Sequence, residues 1–310
     1  MTSSDGDISW ANLREVVRQS FGTAADLAEV TPLKGGCINC TLRLTMTDGF
    51  QTVLKVSPHR VTHAFVHEAY QLEQLAAAQM PVPKVLATSV GSLDHPFSYL
   101  LMEFIDGMPL SAARSKCTSQ EWDGLQAELA RLLCELHRTQ GSQFKRVSPN
   151  GERGYDCWAE FFQDLYDDIW ADVQKSKLLP VKSRKQICRI HDRLKTLLSH
   201  DDPPTLVHWD LWGGNIMVRP GESGWQLVAL IDPAAKYAHA EAELAYLELF
   251  RTATPAMFKA YQCERRFPPD YHAVRKHVYQ LYQLLNHVRL FGQEYVKPTL
   301  GVLDRLRAVA

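Results

Sequence analysis

The sequence predicts an α+β protein of two unequal lobes: a small, mostly antiparallel β-sheet lobe with one key helix, then a larger and mainly helical lobe. Three observations predict it. Leu27 to Val56 alternates apolar and polar residues and is broken at Gly35-Gly36 and at Thr47-Asp48-Gly49, as strands joined by hairpin turns require. Farther on the period changes to that of a helix: Trp122, Leu125, Leu129, Leu132, Leu133 and Leu136 trace one face, and Tyr271 to Phe291 traces another. Between these regions the apolar run Tyr99 to Ile105 ends in the turn Asp106-Gly107. The expected division is therefore residues 1–105 and 106–310, with a hinge at about 102–107.

Taken in order, residues 8–21 read as a short amphipathic helix preceding the strands. A second helix is expected over 62–79, where Phe65, Ala69, Leu72, Leu75 and Ala76 share a face and Met80-Pro81-Val82-Pro83 closes it. With 310 residues, 45% of them hydrophobic, the chain can bury cores for two lobes. Lys and Arg total 34 against 35 for Asp and Glu, so no general attraction to nucleic acid or to an anionic membrane is built in. The start Met-Thr-Ser-Ser-Asp-Gly-Asp lacks the basic, apolar pattern of a signal peptide, no apolar run is long enough for a bilayer, and a cytoplasmic location is the expectation. Seven scattered cysteines do not form a disulfide framework. Cys37-Ile-Asn-Cys40 has zinc or dithiol spacing, but no second CxxC or paired His completes a metal site.

The chemistry is carried by Leu206-Val-His-Trp-Asp-Leu-Trp-Gly-Gly-Asn-Ile-Met-Val218, which sets a carboxylate and a carboxamide five residues apart in a loop after an apolar strand. In phosphoryl transfer an Asp takes or orients the proton of the attacking hydroxyl, and an Asn five positions on holds a magnesium ion on the ATP phosphates. Asp210 and Asn215 fit those roles. Two charges upstream stand where the pattern wants apolar residues: Lys55 shares a strand face with Val53, and Glu68 lies on the buried stripe between Phe65 and Leu72. Buried charges need partners. Either they pair with each other, leaving Lys55 to contact ATP phosphates, or Lys55 snorkels to water and Glu68 caps an amide.

Downstream, Gln226 to Ile231 is an apolar run ending in Asp232-Pro233, reached through the turn Pro220 to Gly224. Asp232 is the expected second Mg²⁺ ligand, although Asp-Pro also starts ordinary turns. Gly35, Gly36, Cys37 and Asn39 supply a candidate phosphate-covering loop, since glycine lets backbone N–H groups approach phosphates. The backbone around Glu103 and Ile105 is placed to hold adenine.

With those parts in order, the chain resembles the fructosamine (ketosamine) kinase family within the aminoglycoside phosphotransferase-like and choline kinase-like proteins of protein kinase-like fold. The resemblance runs from Pro32-Leu-Lys-Gly-Gly-Cys-Ile-Asn39 through Val53-Leu-Lys55, Glu68 and His208-x-Asp-Leu-Trp-x-Gly-Asn215 to Ile231-Asp-Pro-Ala234 and Tyr237-Ala-His-Ala-Glu-Ala-Glu-Leu-Ala245. It implies a kinase using ATP and Mg²⁺, with Asp210 as base, Asn215 and Asp232 on the metal, and Lys55 with Glu68 positioning ATP. Trp212 would line the sugar site, with His208 and Trp209 beside it. The acceptor implied is a small sugar or sugar amine, with no nucleic acid or membrane partner, in a monomer or homodimer.

Two departures stand out: Trp209 replaces the family's usual Gly, and Ala240 and Glu243 stand where a basic residue and an Asp are common. Trp209 either packs behind the loop or reshapes the acceptor pocket. The last forty residues carry six Lys and Arg against two acidic residues, net +4, which is either a solvated face or a feature that disfavours polycationic aminoglycosides. Phosphorylation of an aminoglycoside or another small alcohol is the alternative, and an inactive nucleotide-binding relative is a second one. No Asp-Phe-Gly or Ala-Pro-Glu element supports a protein kinase. Cys37 in the glycine loop adds an expectation of redox control.

Overall fold

The computed structural model describes residues 8–33, 40–57, 62–91, 97–222 and 224–309. Ahead of the sheet, α1 (Trp10–Phe21) starts at Ser9, whose side chain accepts from the Asn12 amide, and ends at Gly22. The strands β1 (Leu27–Pro32), β2 (Cys40–Met46) and β3 (Gln51–Ser57) follow, then α2 (Ala64–Ala77), β4 (Val85–Ser89) and β5 (Ser98–Glu103). They form a five-stranded antiparallel sheet in the order β1-β2-β3-β5-β4.

Both faces of this sheet are covered, and the alternation along β3 decides what each face does. Leu54 and Val56 turn into a core with Leu13, Val16 and Val17 of α1. Val53 turns the other way, toward Phe65, Ala69 and Leu72 of α2, and Lys55, two residues on, shares its face. The strand period thus puts one charged side chain at the sheet's inner surface beside α2.

The second part contains β6 (Met108–Pro109), α3 (Leu110–Ala113), α4 (Ser119–Leu136), β7 (Lys145–Arg146), α5 (Trp158–Ser176), α6 (Val181–His191) and α7 (Leu194–Leu197). After these come β8 (Thr205–Val207), β9 (Ile216–Gly221), β10 (Gly224–Leu230), β11 (Lys236–Ala238), α8 (Ala240–Leu249), α9 (Pro255–Glu264), α10 (Lys276–Phe291) and α11 (Val296–Arg305). It is mainly helical, so the architecture is the expected one of an antiparallel sheet lobe and a helical lobe. Helix α4 opens on a capping box in which Thr118 and Glu121 satisfy each other's amides, and it buries Trp122, Leu125, Leu129, Leu132, Leu133 and Leu136. The helix expected over 271–291 differs at its start, where Tyr271–Arg275 is a π-helical turn before α10. This wide turn coincides with Tyr271 stacking on Phe267 at 4.6 Å and with the buried pair Arg275–Glu241.

Two links tie the lobes at the point that matters for the site. The Leu230 amide donates to the Pro81 carbonyl at 2.7 Å. Gln71 of α2 donates to the Val147 carbonyl and accepts from the Ala235 amide, which pins α2 against the segment just after Asp232. No helix among the described residues is long and apolar enough to cross a membrane.

Candidate active site

Between the sheet and the helical lobe lies a cavity of about 600 Å³. Its roof includes Leu33, Thr41, Val53 and Lys55, its back the segment Met102 to Ile105, and its floor Trp212, Asn215, Met217, Ile231 and Asp232. Glu103 and Ile105, expected at an adenine site, both line it. Gly35, Gly36, Cys37 and Asn39 lie outside the described residues.

Lys55 is the centre of charge in this cavity. Its ammonium lies 2.5 Å from Glu68 Oε1 and also contacts the carboxylate of Asp232. Burial alone would favour the neutral amine, but the carboxylates of Glu68 and Asp232 outweigh it and raise the pKa, so Lys55 stays a cation. The pair that the sequence left as one of two readings is formed, and Asp232 joins it. Asp232 itself has φ 56°, a left-handed backbone that a non-glycine residue adopts at a cost and that turns its carboxylate back into the cleft.

Across the cleft, the loop from His208 to Asn215 folds around its own Asn. Asn215 Nδ2 donates to the Asp210 carbonyl at 2.9 Å and to Asp210 Oδ2 at 3.2 Å, while the Asn215 amide donates to the Trp212 carbonyl. The five-residue spacing is what permits this closure. Beside it the Trp212 ring lies over Gly214, where a Cβ would fall 2.4 Å from the ring and push that exposed side chain aside. The other carboxylate oxygen of Asp210, Oδ1, accepts from Tyr246 Oη at 2.6 Å. Asn215 and Asp232 offer a carboxamide and a carboxylate oxygen to one cavity, the hard-oxygen donor set that suits a divalent cation on phosphates.

The structure separates the three residues expected at the acceptor. Trp212 is 44% exposed and lines the cavity mouth, whereas His208 and Trp209 are 0% and 6% exposed. Burial takes His208 and Trp209 away from any acceptor, which corrects their expected place. Burial also lowers the His208 pKa, so its ring is held neutral. Trp209 packs with Trp158 and Tyr282 behind the loop. Its φ is 73°, a conformation natural to glycine, which explains physically why a Gly suits this position. Here the strained backbone is held by Glu243 of α8, whose Oε1 accepts from the Trp209 amide at 2.6 Å. Glu243 Oε2 in turn meets His137 Nε2 at 2.9 Å, and His137 Nδ1 meets Tyr261 Oη at 2.8 Å.

Sequence reading passed over Tyr246 and His137 and noted Glu243 only as a departure. A signal was present: α8 is buried nearly all round yet carries Glu241 and Glu243 within Ala-Glu-Ala-Glu-Leu-Ala-Tyr-Leu. Charged residues on an otherwise buried helix mark internal partners.

Lys236 was also missed. Its ammonium sits 4.6 Å from the centre of the Trp209 ring and donates to the Ala234 carbonyl at 2.7 Å. Desolvation, with the nearby Arg146 adding to it, pulls its pKa down to about 7. Between about pH 7 and the ordinary lysine range the unfolded chain binds a proton that the folded chain lacks, so this residue makes stability rise with pH across that window. Its penalty is fully present below about pH 7. Lys236→Met is therefore expected to stabilise the protein by ~1–4 kcal/mol at pH 6. Urea unfolding of both proteins at pH 6 and pH 9 checks this; a variant less stable at pH 6, or one with an unaltered pH slope, contradicts it.

The charge of the last forty residues needs revision as a guide to substrate. Arg275 is buried and holds Glu241 through two bonds of 2.7 Å, and Lys276 holds Glu248 at 2.9 Å. Both come out of the net positive count.

A sheet lobe set over a helical lobe, with a buried Lys–Glu pair facing an Asp-x4-Asn loop across the cleft, is the arrangement of kinase-like phosphotransferases. Solved structures share the fold. A crystal structure of a "putative fructosamine-3-kinase" from Thermobifida fusca YX-ER1 superposes with a TM-score of 0.73 at 24% identity, covering 94% of this chain and 97% of that one. The gentamicin complex of APH(2")-IIa superposes with a TM-score of 0.66 at 18% identity, covering 99% and 98%. Sequence comparison narrows the class. The probable ketoamine kinase VP1481 of Vibrio parahaemolyticus is 36% identical over 310 residues, covering 96% of this chain and 99% of that protein. The probable ketoamine kinase YniA of Escherichia coli K12 is 28% identical over 304 residues, with 96% and 99% covered. The family profile for fructosamine kinase matches residues 9–308, and the chain belongs to that family. It is an ATP-dependent phosphotransferase with an alcohol group as acceptor. A divalent metal is the usual companion of ATP in such enzymes.

Proposed function

We propose that this protein transfers the γ-phosphoryl group of MgATP to a hydroxyl of a ketoamine, the 3-hydroxyl of a fructosamine in the first instance. The observation that carries the reading is the Asp210 carboxylate, which Tyr246 and Asn215 hold by hydrogen bonds, with Asn215 itself lining the cavity that contains Lys55 and Asp232. Residues up to about 105 act as the nucleotide-binding lobe and residues 106–310 as the catalytic and acceptor-binding lobe. Adenine lies against Glu103 and Ile105, and the phosphates run toward Lys55. Asp210 accepts the proton of the acceptor hydroxyl as that oxygen bonds to the γ-phosphorus and ADP departs. Lys55, fixed by Glu68, balances charge on the phosphates. Asn215 and Asp232 are the residues that would hold Mg²⁺, which when bound neutralises phosphate charge. Trp212, exposed at the cavity mouth, offers an aromatic face to the sugar.

A ketoamine is favoured over an aminoglycoside by family membership and by the names of the relatives; APH(2")-IIa shares the fold at 18% identity. Five of the cysteines, Cys117, Cys134, Cys157, Cys188 and Cys263, form no disulfide, in keeping with a reducing cytoplasm. The test is ATP turnover across fructosyl-lysine, ribulosyl-lysine, free sugars, aminoglycosides and choline. Ketoamine-dependent ADP formation is expected; turnover confined to aminoglycosides would overturn the reading.

A further inference from the structure

Helix α8 grips the loop that carries Asp210 at two successive residues. Glu243 takes the Trp209 amide, and Tyr246, three residues on and so on the same helix face, donates to Asp210 Oδ1 at 2.6 Å. We propose that Tyr246 is a positioning residue for phosphoryl transfer: its hydroxyl fixes the rotamer of the Asp210 carboxylate so that the carboxylate's remaining lone pairs face the acceptor hydroxyl.

The inference rests on the reading of Asp210 given above and adds to it the residue that aims the base. Asp χ2 is a soft torsion, so a carboxylate with one fixed oxygen still swings. Here both oxygens are held, Oδ2 by Asn215 within the loop and Oδ1 by Tyr246 of α8. Asn215 alone leaves the outer oxygen loose. Each carboxylate oxygen accepts at two sites, so the bond from Tyr246 uses one on Oδ1 and leaves the other open.

Several features show that Tyr246 stays where it is rather than giving way to a ligand. The residue is 3% exposed, and its ring packs on Phe250 at 4.8 Å with His287 at 6.4 Å. Burial first, and then the Asp210 charge, push the phenol pKa far up, so the proton remains on the tyrosine oxygen and the hydroxyl can only donate to the carboxylate. A hydroxyl donating to an ionised carboxylate is the short and strong type of hydrogen bond. Nothing in the Asp-x4-Asn pattern supplies this bond; it comes from a residue thirty-six positions later, and a Phe there would keep the packing and lose the aim.

The experiment is a double-mutant cycle on steady-state phosphorylation of a fructosamine, with Tyr246→Phe, Asp210→Asn and the pair. Tyr246→Phe is expected to lower kcat by about tenfold, with the KM for ATP essentially unchanged. The pair is expected to be no slower than Asp210→Asn alone, since the hydroxyl has nothing to aim once the base is gone. Full activity in Tyr246→Phe, or independent effects that multiply in the pair, overturns the positioning role while the reading of Asp210 stands. Near-normal turnover in Asp210→Asn brings down that reading and this inference with it.

Discussion

Asp210→Asn lowers kcat for acceptor phosphorylation by at least ~10² while ATP affinity is retained. The asymmetry follows from where the side chain sits. Lys55, Glu68 and Asp232 form the charged cluster at the cavity between sheet and helices by themselves, and Asp210 touches none of them among its hydrogen bonds. A carboxamide is isosteric and still accepts from Tyr246 through its oxygen, which turns its NH2 toward the Asn215 NH2 and costs one hydrogen bond at the loop. The loop remains closed through the Asn215 bond to the carbonyl of residue 210. What disappears is the basic oxygen. Fluorescence titration of ATP and steady-state rates on one preparation separate the two effects; a kcat within about threefold of the parent would remove Asp210 from the mechanism.

Glu243→Ala destabilises the protein by ~2–6 kcal/mol, as two stranded buried donors imply, and Glu243→Gln by much less. Glu243 is 1% exposed and receives two hydrogen bonds in a buried network. Burial, the largest influence on His137, lowers its pKa and keeps the ring neutral, so the ring donates through Nε2 to the carboxylate and accepts from Tyr261 through Nδ1. Alanine strands the His137 donor and the Trp209 amide, and it releases a tryptophan held at φ 73°. Glutamine still accepts from the Trp209 amide, and a change of tautomer at His137 lets its amide donate to Nε2. Because Trp209 adjoins Asp210, the alanine variant also loses kcat. Urea unfolding at constant slope measures the stability change; a loss below ~1 kcal/mol for Glu243→Ala would mean that the network is not what holds the loop.

What the sequence made legible was local or was conspicuous by chemistry. Lys55 and Glu68 could be read because each places a charge on an apolar face, and Asp210 with Asn215 because the five-residue spacing closes a loop on itself. Asp232 could be read because it ends an apolar run. The remainder depended on information that spacing does not carry. The left-handed backbone at Trp209 is invisible in a residue list, so its side chain stayed ambiguous between core and acceptor pocket until its burial was seen. Tyr246, Glu243 and His137 reach the loop through tertiary packing, across separations of 34 to 106 residues. Charge counted along the C-terminal segment misled for a related reason, since Arg275 and Lys276 find their carboxylates on α8. The reading of the glycine loop, including redox control at Cys37, concerns residues outside the described ones.

Phosphorus NMR of a mixture of ATP, magnesium and fructosyl-lysine, followed with the parent protein and with Asp210→Asn, tests the central claim most directly. A new phosphomonoester resonance growing in step with ADP, and suppressed in the variant, is the predicted result. Release of inorganic phosphate alone, or a phosphomonoester formed equally well without Asp210, would contradict it.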